Sequence, residues 1–258
     1  MAQKKKVTAK VISQVCLADG IFDMWLETEL AEDVKAGQFI CIYTKDGGKL
    51  LPRPISICQV NENRTALRVV YRVVGAGTEE FSHYTEGTCV EILGTLGNGF
   101  PIAEGNGKKV ALFGGGIGIP PMLQTAGEIQ GEVHAFLGYR NADLFLAEEF
   151  EAFSTLHIAT EDGSVGTKGN VLDALKESGI RPDVIMACGP MPMLRAIKRC
   201  AEELDIPAYI SLEERMACGV GACLGCVAKT TRKDHHSNVN NARICTDGPV
   251  FEAKEVEI

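Results

Sequence analysis

Long apolar runs are missing from this sequence of 258 residues. Its most apolar stretch, 110–123, is broken by four glycines and two prolines, whereas a helix that crosses a bilayer needs about 20 predominantly apolar residues. A surplus of basic charge is missing too. The 26 lysines and arginines face 34 aspartates and glutamates, a formal net charge of -8, which repels a phosphate backbone and argues against nucleic acid as a partner. There is no internal repeat, no low-complexity tract and no composition of the disordered, collagenous or coiled-coil kind. The first residues carry Lys4, Lys5 and Lys6 and then alternate polar and apolar over 7–15, without the apolar core and cleavage site of a secretory signal. The expectation is a soluble protein of the cytoplasm.

What is there is enough for a core: 45% hydrophobic and 23% charged residues, in a length that suits about two domains with a small appendage. Short β-rich segments at 7–15, 21–26, 38–43, 53–59, 66–74 and 88–93 are separated by Gly, Asn and Asp, the pattern of a small antiparallel barrel. From Lys109 the pattern changes. Strands at 110–113, 132–137, 156–159, 184–188 and 208–212 alternate with helices at 120–130, 143–153, 170–178 and 191–204, as in a doubly wound parallel α/β domain. The last 46 residues lose this periodicity and are rich in Cys and Gly. The expected division is therefore a β barrel over 1–102, an α/β domain over 103–212 and a small segment over 213–258.

Ten cysteines stand out. In a reducing compartment scattered ones read as small core residues and clustered ones as metal ligands. Cys218, Cys223 and Cys226, followed by Cys245, have the spacing C-x4-C-x2-C…C, which matches a [2Fe–2S] centre of the plant ferredoxin type. Gly219, Gly221 and Gly225 let so short a loop wrap a cluster and bring N–H groups to its sulfurs. A structural zinc site with four cysteines is the alternative, although its ligands usually come as two C-x2-C knuckles.

Gly114, Gly115, Gly116 and Gly118 follow the first parallel strand and open a helix, where exposed N–H groups and the positive helix end favour a nucleotide phosphate. Pro121 takes the place of the last glycine in the G-x-G-x-x-G pattern, and a proline in the first turn loses no hydrogen bond. A tight turn without ligand is the plainer reading. Cys188, before Gly189 and Pro190, ends a strand at the crevice side of the same sheet, which places it near a bound nicotinamide unless it merely fills space. In the barrel, Arg53 and Ser56, with Pro54 and Ile55 between them, suit a pyrophosphate. Val70, Tyr71 and Arg72 precede Gly77 and Thr78; Tyr71 offers a ring for a flat ligand, and Gly77 and Thr78 offer donors. A surface arginine and an ordinary hairpin loop account for the same residues.

Taken together, Arg53 to Ser56, Gly94 to Phe100, Gly114 to Pro121, Cys188 to Met193, Met216 to Cys226 and Asp247 to Phe251 resemble the ferredoxin-reductase superfamily along essentially the whole chain. More narrowly, they resemble the electron-transfer subunits of NAD-dependent dihydroorotate dehydrogenase B. The resemblance implies an oxidoreductase subunit. FAD would bind at Arg53, Pro54, Ile55, Ser56, Val70, Tyr71, Arg72, Gly77 and Thr78, and a [2Fe–2S] cluster at Cys218, Cys223, Cys226 and Cys245. NAD would bind at Gly114, Gly115, Gly116, Gly118 and Pro121, with Cys188 as the catalytic neighbour of the nicotinamide. It implies as partner an FMN-containing catalytic subunit that oxidises dihydroorotate in pyrimidine biosynthesis, in a two-plus-two heterotetramer. Nicotinamide exchanges electrons in pairs and the cluster singly, so a flavin must stand between them. Reductase subunits of sulfide dehydrogenase, bifurcating transhydrogenase or hydrogenase share this layout and remain alternatives. Glu213 and Glu214 read as a solvated acidic pair, and the polar stretch 229–241, with His235 and His236, as a solvated loop. Arg140 after the second parallel strand leaves NAD and NADP undistinguished.

Overall fold

Residues 4–233 and 238–258 are described in a computed structural model of the chain; His235 and His236 lie outside them. Strand β1 (Lys5–Ala18) is long enough to serve two neighbours. Its first half pairs with β6 (Cys89–Leu96) and its second half with β2 (Ile21–Glu27), with a register shift between Val11 and Ser13 at the change of partner. Such a bulge bends a strand and increases its twist, and here it helps the sheet to close. With β3 (Phe39–Ile42), β4 (Arg53–Val60) and β5 (Ala66–Arg72), the closed barrel runs β1-β2-β5-β4-β3-β6. Alternating residues such as Met24 and Leu26, or Leu67 and Val69, fill its interior, as period-two strands require. Between β5 and β6 the chain forms a short helix, α1 (Ala76–Ser82), where a plain hairpin loop was the simplest sequence reading.

The second body is a sheet that is parallel except at one edge. Its elements are β7 (Lys109–Gly115), α2 (Pro120–Glu128), β8 (Glu132–Tyr139), α3 (Ala147–Phe150), β9 (Thr155–Thr160), β10 (Thr167–Lys168), α4 (Val171–Ser178), β11 (Val184–Cys188), α5 (Met191–Leu204) and β12 (Ala208–Ser211). The helix expected over 143–153 is a single turn, because residues 142–146 run as a tight, mostly apolar turn into Leu146 at positive φ. Both sheet faces are covered: Phe113, Phe136 and Ala187 pack with α4 and α5, while Leu112, Ala135 and Met186 pack with α2. Buried strands of this kind have no polar face.

The C-terminal segment is more ordered than its composition suggests. β13 (Val227–Lys229) and β14 (Asn241–Arg243) form a small antiparallel pair. β15 (Val250–Glu252) adds antiparallel to β12, so the sheet runs β10-β9-β8-β7-β11-β12-β15. A barrel residue straps it down: the Asn98 amide donates to the Asp247 and Val250 carbonyls at 3.1 and 2.8 Å. Among the described residues no helix is long and apolar enough to cross a membrane.

Candidate functional site

In the second body, β7 lies between β8 and β11, parallel to both, so the chain leaves it toward opposite sides. This reversal opens a crevice at the carboxyl ends of the strands. A cavity of about 760 Å³ occupies it, bounded by Gly115, Gly116 and Gly118 of the loop, Gly189 and Pro190 after β11, and Arg72 of the barrel. The loop is glycine for reasons of contact. A Cβ at Gly115 would press on the Met193 Sδ at 2.6 Å, and one at Gly118 would overlap the Cys188 carbonyl. Gly116 has φ +52 and passes beneath the Arg72 guanidinium. Gly114 and Pro121 sit behind this surface: Gly114 pairs with Cys188 across the ladder, and Pro121 is buried in the first turn of α2.

Cys188 is 1% exposed. Its thiol lies under the crevice floor, within reach of Ser211, and burial pushes its pKa up to about 12. It therefore stays a neutral thiol at physiological pH. Glu213, expected as a solvated carboxylate, lines the same cavity.

The barrel residues converge at the other side. Arg53 opens β4, and its guanidinium lies against α1 so closely that a Cβ at Gly77 would overlap it. It also donates to the Leu51 carbonyl. The first helical bond of α1 runs from the Glu79 N–H to the Gly75 carbonyl at 2.9 Å, which leaves the N–H groups of Ala76, Gly77 and Thr78 without a helical acceptor. A cationic fork beside Gly77 and such donors has the chemistry that suits a diphosphate. The Thr78 hydroxyl is not among the donors. It takes the N–H groups of Val74 and Gly75 and gives its proton to the Gly75 carbonyl, closing the turn.

Tyr71 corrects an expectation. Its ring was expected against a flat ligand, yet it is 1% exposed. Alternation along β5 turns it into the barrel, stacked on Phe22 and edge-on to Phe81, with its hydroxyl donating to Gln14 Oε1 at 2.9 Å. Val70 is buried toward the α/β domain, so of the three β5 residues only Arg72 reaches the crevice.

The four C-terminal thiols form two neighbouring pairs: Cys218 is within hydrogen-bonding reach of Cys223, and Cys245 of Cys226. Two pairs suit a centre with two irons, each held by two thiolates. Gly219 and Gly221 have φ +67 and +85, the left-handed turn that folds N–H groups inward. Burial works against ionisation of Cys218, but the N–H groups of Val220, Cys223 and Ala222 outweigh it and bring the thiol down to about 6. Cys245, more deeply set beside Cys226, is pushed up to about 12, first by burial. A fifth thiol, Cys41 of β3, is fully buried in the barrel wall against Gly219.

The iron-sulfur cluster binding domain of dihydroorotate dehydrogenase B matches residues 213–257. The electron transfer subunit of dihydroorotate dehydrogenase B (NAD(+)) from Listeria monocytogenes serotype 4a (strain HCC23) is 43% identical over 96% of this chain and 98% of its own length. The chain belongs to this family. The corresponding subunit from Geobacillus sp. (strain WCH70) is 38% identical over 99% of both chains. Among solved structures, one of an NADH-dependent reduced ferredoxin-NADP oxidoreductase, described for flavin-based electron bifurcation, superposes with a TM-score of 0.85 at 29% identity. The match covers 96% of this chain and 89% of that one.

In this member of the family the tertiary structure adds crevice residues that motif reading did not single out: Asn141 and Asp143 after β8, Glu161 after β9, and Gly169 with Asn170 before α4. They carry no recognisable pattern of their own. The signal that finds them is topological, since each lies at or beyond the carboxyl side of a parallel strand.

Proposed function

We propose that the chain carries electrons between an FMN-containing dihydroorotate dehydrogenase subunit and NAD+, through a [2Fe–2S] cluster and FAD, in de novo pyrimidine biosynthesis in the cytoplasm. The observation that carries this reading is the pairing of the four thiols beside a barrel that also bears the Arg53 cradle. When bound, the flavin would convert the two-electron chemistry of nicotinamide into the single electrons a cluster accepts. The chain's residues do the rest. Arg53 and the N–H groups of Ala76, Gly77 and Thr78 hold the diphosphate, while Pro54, Ile55, Ser56 and Arg72 border the flavin. Cys218 with Cys223, and Cys226 with Cys245, would hold the irons of the cluster, and the N–H groups around Cys218 favour its thiolate.

Gly115, Gly116 and Gly118 admit the nicotinamide nucleotide, whose ring rests above Cys188; this neutral thiol offers a packed floor and no competing nucleophile. Gly114 and Pro121 shape that loop from behind, as Val70 and Tyr71 shape the flavin strand. The functional divisions are 1–102 for FAD, 103–212 for NAD and 213–258 for the cluster, although β15 lends the last of these to the central sheet. The partner is the catalytic subunit, and we place the assembly at two of each chain.

The test is co-purification with the partner encoded by the same organism, with iron, sulfide and flavin measured on both chains. NADH oxidation should couple to orotate reduction only when the FMN subunit is present. A complex that is bleached by NADH yet shows no orotate-dependent turnover assigns the chain to another redox partnership. One zinc per chain in a colourless protein overturns the electron-transfer role.

A further inference from the structure

Period-two alternation divides β3 between two cores. Ile40 and Ile42 point into the barrel, whereas Phe39 and Cys41 point outward and pack with the C-terminal segment. Cys41 is fully buried there. It pairs with Leu93 of β6 on one side and with Pro54 of β4 on the other, so it stands one strand away from Arg53 and Ser56 and under the loop that begins at Cys218. Gly219 lies against it: a Cβ there would come to 3.2 Å from the Cys41 Sγ and 3.2 Å from the Leu96 Cδ1. The left-handed turn at Gly219 therefore rests on this thiol and on Leu96, and it is the turn that brings the N–H groups of Val220 and Ala222 to Cys218. Cys226 and Cys245 belong to the same apolar core, and Cys218, Cys226 and Cys245 all lie within electrostatic reach of Cys41. The side chains beside it in the wall, Phe39, Leu93 and Leu96, accept no hydrogen bond, whereas the sulfurs of the segment do. Burial pushes the pKa of the Cys41 thiol up to about 12, so it keeps the one donor it has.

We infer that Cys41 is a positioning residue for the [2Fe–2S] cluster, its S–H donating to a sulfur at the cluster edge and raising the reduction potential. The inference rests on the cluster reading of the four thiols. Reduction adds negative charge that spreads over the sulfurs, and a donor aimed at them favours the reduced form; hydrogen bonds to sulfur and exclusion of solvent are two of the levers that set the potential of such a centre. In a dry wall the low dielectric makes a single donor count for more than it does at a wetted surface. Valine or alanine would satisfy the packing alone. Cysteine behaves as a small hydrophobe with a weak S–H donor, so one side chain both fills the wall and supplies the proton. The barrel thereby acts on a centre whose ligands all come from the C-terminal segment.

The experiment uses the flavin-loaded complex and three variants. Cys41→Ala removes the sulfur, Cys41→Val refills the space without a donor, and Cys41→Ser keeps a donor of similar size. The midpoint potential of the cluster is read from an anaerobic redox titration followed by electron paramagnetic resonance, with iron and flavin per chain measured alongside. Cys41→Ala and Cys41→Val should keep their iron and lower the midpoint potential by up to about 59 mV, the equivalent of a tenfold change in the reduction equilibrium of a one-electron couple. Cys41→Ser should stay close to the wild type. Unchanged potentials in Cys41→Ala and Cys41→Val overturn the inference and leave the cluster reading intact. An equal fall in all three variants also overturns it, since packing and not the donor would then set the potential. So does loss of iron from all three, which would make Cys41 a ligand or a prop of the loop. If the wild-type protein shows no [2Fe–2S] signal on reduction, the cluster reading falls as well.

Discussion

The α/β domain and the C-terminal segment meet the barrel in different ways. At α3 the contact is ionic. Arg68 of β5, whose side chain is 8% exposed, holds Asp23 of β2 through two bonds of 2.9 Å and reaches across to Glu149 of α3 at 2.9 Å. At the C-terminal segment the contact is apolar, with Met216, Cys226, Ile244 and Cys245 packed in one core with Phe39, Leu93 and Leu96 of the barrel. A bidentate guanidinium fixes direction, since its planar fork accepts few geometries. An apolar contact is non-directional and spreads over many side chains. At α3 the α/β domain is thus given a direction by a few atoms, beside an apolar seam in which Ile21, Cys58 and Val70 of the barrel pack with Met122 and Leu123 of α2, whereas the segment is held by an apolar surface in which two of the proposed cluster ligands are also core residues.

The largest effect is expected where ligation and packing share atoms. Cys226→Ala should lower iron from two per chain to nearly none while NADH-dependent dye reduction at the flavin persists; parallel loss of both activities would show that the segment mainly supports the fold. The ionic contact comes next. Arg68→Ala leaves the Asp23 carboxylate buried without its partner, a loss of about 3–5 kcal/mol, read from urea unfolding of the flavin-loaded protein. Glu149→Gln, at the solvent side of the same arginine, should remove less than about 1 kcal/mol. Equal losses from the two variants would mean that the contact is not graded by burial.

The smallest effect separates the two thiol pairs in apo-protein. Cys218, down to about 6, is a thiolate at neutral pH, and Cys245, up to about 12, is not. Iodoacetamide at pH 7 should therefore alkylate Cys218 first. Its rate should fall as the pH drops through 6, where the thiolate regains its proton; equal labelling of both cysteines by peptide mass analysis would contradict the assignment.

Much of this was legible in the chain. The alternation that predicts six barrel strands appears as the closed barrel, and the βα alternation after Lys109 appears as the parallel sheet. The reason is that apolar period-two runs and glycine turns are local properties. The spacing from Cys218 to Cys226 likewise describes one short loop. Tyr71 was misjudged because a strand residue's identity does not say which of two sides it faces. Helix α1 was missed because a glycine-led turn resembles a hairpin, and Glu161 because it lies in no motif.

Sequence by itself determined the order of the three parts, the spacing of the four cysteines proposed as cluster ligands and the glycines of the two loops, all of which depend on residue type and near spacing. Only the tertiary structure decided that Arg53 lies over Gly77, that Cys188 sits under a floor it shares with Gly114 and Ser211, and that Glu161, just after β9, stands beside Arg140. These are contacts between strands distant in sequence. They are set by sheet order and by the burial of one face against another, and no local pattern encodes either.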